Sequence, residues 1–86
     1  QGPGAQASAW GIAIGSQADA TGNAAIAIGN AAVSTANRTI AIGIEAQATG
    51  NQSVAYGNAS NALATNGIAI GYRSKVDVDG EGSVAV

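Results

Sequence analysis

Ile26-Ala27-Ile28-Gly29 has near-copies at residues 12–15, 40–43, 54–57 and 68–71, each fourteen positions after the last, and a final one, Val84-Ala85-Val86, sixteen further on. Self-similarity at a fixed period is the signature of stacked repeats, in which each unit buries its apolar face only against its neighbours. Around this anchor the chain divides into a worn first repeat (1–14), four clean repeats (15–28, 29–42, 43–56 and 57–70) and a longer last one (71–86). We read it as a single repeat domain. It starts inside a degenerate repeat and stops before the glycine that should follow Val86, as an excised piece of a longer fibrous polypeptide would.

Each clean repeat holds two extended pieces. In the first, Ala18 and Ala20, Ala32 and Ser34, Ala46 and Ala48, and Ser60 and Ala62 alternate with mostly polar neighbours such as Gln17, Asp19, Glu45, Gln47 and Asn61. Such alternation predicts a strand with one buried and one wet face. A turn follows at Thr21-Gly22-Asn23, Thr35-Ala36-Asn37 and Thr49-Gly50-Asn51, with Ala64-Thr65-Asn66-Gly67 as a variant. Gly and Asn accept positive φ at least cost, so they are expected to carry the bend. The second piece is the opening motif, and its glycine turns the other corner.

Fourteen residues are too few for a three-sided coil of about eighteen. They suit two strands of about five residues and two tight corners, in coils stacked about 4.8 Å apart as continuous parallel ladders. Six coils would make a rod roughly 29 Å long by that spacing. The expected fold is therefore all-β, a flattened parallel β-roll. The volume argument puts large side chains opposite small ones. It assigns the roll core to Ile12, Ile14, Ile26, Ile28, Ile40, Ile42, Val54, Tyr56, Ile68, Ile70, Val84 and Val86. It leaves Ala13, Ala27, Ala41, Ala55, Ala69 and Ala85 as a flat outer stripe where other copies approach. The opposite choice, with the Ile ladder on a symmetry axis, stays open.

Composition supports assembly and excludes much chemistry. The apolar residues are twenty-one Ala, nine Ile, six Val and one Leu, with no Phe or Met. A lone copy is thus poorly provided with core, and small units so built need staples or partners. No Cys is present, so no disulfide or thiolate metal site exists, and no His, which removes the commonest base and metal ligand. The staple must be other chains. A net charge of −2 from eight charged residues lacks the basic patch that nucleic acid or an anionic membrane demands. No segment has the roughly 18–20 apolar residues that span a bilayer, so no membrane insertion is expected of this segment. Gly2-Pro3-Gly4 is loop chemistry or a cloning remnant.

Three local features could meet a ligand. Trp10 reads as a lid over the end of the stack, with a ligand platform as the lesser reading. Asp77, Asp79 and Glu81, with Gly80 and Gly82, fall short of the twelve-residue calcium loop and read as solvated, so neither metal nor cofactor is expected. Tyr72, Arg73 and Lys75 are assigned to the polar strand of the last coil and, with Asp77, Asp79 and Glu81, form the candidate ligand surface.

The sequence resembles the YadA-like head of trimeric autotransporter adhesins. Its carriers are Asn51-Gln52-Ser53-Val54-Ala55-Tyr56-Gly57, the related stretches 23–29 and 37–43, and the interposed A-x-A-T-G at 18–22 and 46–50. The resemblance covers residues 5–86. It implies a left-handed parallel β-roll assembling as a homotrimer. It also implies a bacterial cell-surface location, through a stalk and outer-membrane anchor outside this chain, and attachment to host extracellular-matrix or cell-surface proteins. The alternative is a purely structural spacer. The chain departs from the pattern at Ala62-Leu63-Ala64-Thr65 and in the last coil. An enzyme is disfavoured, because no serine has a base beside it. Ice binding is disfavoured because the Thr21, Thr35 and Thr49 ladder breaks at Leu63 and Asp77. An amyloid-like matrix is disfavoured by the corner glycines and strict coil length.

Overall fold

A computed structural model describes residues 4–8, 10–77, 82 and 84–85. Its strands alternate along the chain between two sheets. The first sheet holds two-residue strands: β1 (Gln6–Ala7), β3 (Asp19–Ala20), β5 (Val33–Ser34), β7 (Gln47–Ala48), β9 (Asn61–Ala62) and β11 (Lys75–Val76). The second holds β2 (Ile12–Ile14), β4 (Ile26–Ile28), β6 (Ile40–Ile42), β8 (Val54–Tyr56), β10 (Ile68–Ile70) and β12 (Val84–Ala85). Every pairing is parallel and joins a strand to its equivalent in the next coil, as Ala27 to Ala41 and Ala41 to Ala55. The fold is an all-β parallel solenoid of about five coils at fourteen-residue spacing, measuring 32 × 23 × 12 Å. Strands are shorter than the five residues expected, because the corners take up more of each coil.

The interior reverses half of the expected faces. In the first sheet Ala18, Ala20, Ala32, Ser34, Ala46, Ala48, Ser60 and Ala62 point inward and are fully buried, as the alternation predicted. In the second, Ala27, Ala41, Ala55 and Ala69 are also wholly buried and Ala13 nearly so, while Ala85 packs against this core half-buried. Ile12, Ile14, Tyr56, Ile70 and Val84 are exposed, and Ile26, Ile28, Ile40, Ile42, Val54 and Ile68 are half-exposed. The isoleucines therefore do not form the roll core, and the alanines lie inside it, where no second chain could touch them. Val86 lies outside the described residues.

The physical reason is the short coil. Ordinary stacked sheets stand about 10 Å apart and fill the gap with large side chains. Two corners of so few residues hold these sheets too close for that, so small residues must oppose small ones. The same limit acts at the corner-adjacent inner position, which carries Ala25, Thr39, Ser53 and Gly67, all buried.

One corner follows expectation and the other departs from it. Gly15, Gly29, Gly43, Gly57 and Gly71 take φ of 117° to 139°, and a Cβ on Gly29 would lie 2.5 Å from the Gly43 carbonyl oxygen. At the other corner the positive φ falls one residue after the position that carries Asn23, Asn37 and Asn51, on Ala24, Arg38, Gln52 and Asn66. Gly22 is required for a different reason: a Cβ there would meet the Ala36 carbonyl oxygen at 2.0 Å. Backbone bonds between coils hold these left-handed residues in place, such as Arg38 N–H to Asn23 O (2.7 Å), Gln52 N–H to Asn37 O (2.8 Å) and Asn66 N–H to Asn51 O (2.8 Å).

Candidate interaction surfaces

The second sheet turns two parallel rows of large apolar side chains to solvent. One row is Ile12, Ile26, Ile40, Val54, Ile68 and Val84; the other is Ile14, Ile28, Ile42, Tyr56 and Ile70. In-register pairing stacks each residue on its equivalent, so the rows form one continuous face. Its one side-chain polar atom is the Tyr56 hydroxyl, and Tyr56 is 54% exposed. Exposed contiguous apolar faces of this kind mark interaction sites. Fully burying one such side chain stabilises by roughly 1.5–3 kcal/mol, a gain that eleven neighbours can realise together only against a matching apolar surface.

This face is the candidate interaction surface that the volume argument placed inside the molecule. A signal for it existed within the repeats. Positions 25, 39, 53 and 67 never exceed threonine in size, whereas known wet positions vary freely, as Asp19, Val33, Gln47, Asn61 and Lys75 do. A position held to small side chains in every coil is an interior position.

The outer side of the first sheet is mixed. Asp19, Val33, Gln47, Asn61 and Lys75 stack in one row along the strands, the left-handed residues Gln17, Ala31, Glu45, Ala59 and Arg73 repeat in the corner before them, and Thr21, Thr35, Thr49, Leu63 and Asp77 follow them. Ala31, Val33, Glu45, Gln47, Ala59 and Asn61 line a shallow groove across it. The Asn61 Oδ1 and Asp19 Oδ1 atoms are buried without hydrogen-bond partners.

The predicted ligand cluster is only partly brought together. Tyr72 and Arg73 sit in the corner before β11 rather than on the strand, with the guanidinium 5.2 Å from the ring centroid. Lys75 Nζ lies 3.3 Å from Asp77 Oδ1, but both side chains are more than half exposed, so the pair contributes little. Asp79 and Glu81 lie outside the described residues. Trp10 occupies the corner position of Ala24 and Arg38 and is 79% exposed, so it does not close the end of the stack. The hollow at that end is lined by Ala7, Gly11, Ile12, Ala13 and Ile14. Among the described residues no three His, Cys, Asp or Glu side chains gather to hold a metal, and no helix is long and apolar enough to cross a membrane.

No curated protein and no solved structure matches the chain. The sequence model of one family, the YadA head domain repeat (2 copies), matches residues 11–32, 34–60, 48–74 and 62–86. These matches leave out only residues 1–10 and 33. The fourteen-residue ladder, the parallel two-sheet roll and this coverage lead to one assignment: the chain belongs to the YadA head family, an adhesin-type, non-enzymatic family of trimeric autotransporter-like segments.

Proposed function

We propose that this chain is the head segment of a bacterial surface adhesin, that three copies associate through their Ile/Val/Tyr faces, and that the trimer attaches to host extracellular-matrix or cell-surface proteins. The observation that carries the proposal is the continuous apolar face of the second sheet, which a lone roll leaves in water. The number three, the left-handed winding and an outer-membrane anchor elsewhere in the polypeptide are taken from the family. With the second sheet buried among the copies, the mixed first sheet and the last-coil residues Tyr72, Arg73, Lys75 and Asp77 become the outward surface for ligand. Repetition of that surface along a stiff rod and around an axis makes binding multivalent, so weak individual contacts suffice.

Sedimentation equilibrium tests the assembly: the expected mass is three times that of the chain, and a stable monomer at micromolar concentration overturns it. Solid-phase binding to collagen, fibronectin, laminin and a broad panel of host-surface proteins tests adhesion. Silence across the panel by a well-formed trimer assigns the segment to spacing, with attachment carried by other domains.

A further inference from the structure

Three tripeptides of the chain have the form Asn-x-Ser/Thr: Asn37-Arg38-Thr39, Asn51-Gln52-Ser53 and Asn58-Ala59-Ser60. This is the acceptor motif of N-linked glycosylation, whose asparagine must stand at the surface. Asn37 and Asn51 are exposed on one corner ladder and Asn58 on the opposite corner. The Asn51 Oδ1 accepts the Asn37 N–H at 3.3 Å, and among the described residues no hydrogen bond engages the Nδ2 of any of the three. Both corners lie at the rims of the sheets, so a sugar on Nδ2 projects away from the alanine interior.

The hydroxyl residue of each triplet is in the opposite situation. Thr39, Ser53 and Ser60 are all 0% exposed. Thr39 Oγ1 donates to Ala36 O at 2.9 Å and is bonded to Ser34 Oγ; Ser60 Oγ donates to Gly57 O at 2.9 Å. The middle residues Arg38, Gln52 and Ala59 all have φ near +60°, at 57°, 60° and 59°, so none of the triplets is extended. A transferase selective for this motif must read the hydroxyl as well as the asparagine. The folded roll hides the first while displaying the second.

We propose that Asn37, Asn51 and Asn58 are N-glycosylation sites that are open only before the coils close, and that the folded roll then carries the sugars on its two corners. The donor is a sugar activated at C1 by a nucleoside diphosphate. The Asn Nδ2 forms the bond to C1 as the C1–O bond to phosphate breaks; the diphosphate leaves with that electron pair, and one Nδ2 proton passes to solvent. Nothing in this depends on whether the chain is adhesive.

The repeat provides its own controls. Asn23-Ala24-Ala25 shares the corner position of the first two triplets and Asn30-Ala31-Ala32 that of the third, but neither has the hydroxyl. The test is co-expression of the full chain with a soluble N-x-Ser/Thr glucosyltransferase that uses UDP-glucose, compared with addition of the same enzyme and donor to purified folded protein. Intact mass and site mapping are the readouts. Hexoses are expected on Asn37, Asn51 and Asn58 of the co-expressed chain and not on Asn23 or Asn30. Occupancy of the folded protein should be lower by at least about tenfold, because access then waits on local opening. Ala25→Thr should add a hexose at Asn23, Thr39→Ala should remove the one at Asn37, and the glycosylated chain should keep the circular dichroism of the bare one. Unmodified co-expressed chain, equal occupancy of folded protein, or loss of the β signal on glycosylation would each overturn the proposal.

Discussion

The hydroxyls inside the roll are not equivalent. Ser34 and Thr39 bond each other across the interior, whereas Ser53 Oγ is buried with no partner. Leaving such a group unsatisfied costs about 1–3 kcal/mol, and Ala25 shows that the same position accepts a methyl group. Ser53→Ala is therefore expected to stabilise the chain by about 1 kcal/mol or more in urea denaturation, and a loss of stability would show that the hydroxyl has a partner such as buried water. Gly29→Ala should do the reverse. Its Cβ would meet backbone of the next coil at 2.5 Å from a φ of 129°, a combination of clash and strain in the class that costs above about 4 kcal/mol. Retained folding at that position would mean that the corner yields.

At the level of the strand, the sequence shows which positions alternate and where the coils repeat, because both follow from period. It does not by itself show which side of Ile-Ala-Ile is inside. Matching large residues to small ones is a sound rule for sheets far enough apart, and it failed here because the corners set a smaller separation than the rule assumes. The buried alanines of the first sheet were legible, since their partners Gln17, Glu45 and Gln47 are costly to bury. Ala and Ile are both apolar, so the second strand offered no such contrast. The same ambiguity hides the candidate surface: by volume alone the large face reads as core, and the charges of the last coil are then the strongest remaining signal. The two faces now predict different outcomes. Ala41→Leu adds bulk to a filled interior and is expected to abolish the cooperative unfolding transition of the chain itself. Ile28→Asp and Ile42→Asp change the outer face, so they are expected to abolish assembly in sedimentation. An unchanged sedimentation profile for both would place the contact between copies elsewhere.

Across the whole molecule, the proposed trimer divides the work between two kinds of force. Backbone ladders and close-packed methyl groups shape each roll, and the association of the Ile/Val/Tyr faces supplies the large apolar burial that the thin interior cannot hold. Stability should consequently rise with protein concentration, as it does for any assembly whose folded subunit depends on its partners. A hundredfold dilution disfavours association by about 2.7 kcal/mol for each partner that dissociates, so a thermal midpoint that stays fixed over that range would contradict this. The in-register pairing of every coil with the next has a further meaning for how such a rod changes length. Residue 28 and residue 42 both end an Ile-Ala-Ile strand and both precede a corner glycine, so removing 29–42 joins Ile28 to Gly43 with local sequence and register intact. The excision takes the bonded Ser34 and Thr39 away together and strands neither. A roll shortened by about 4.8 Å and still folded is the expected product, measurable by small-angle scattering. Coils of this kind are interchangeable parts, and reach above a surface can be lengthened or trimmed by whole repeats while the remaining coils keep their register and stack each residue on its fourteen-residue equivalent.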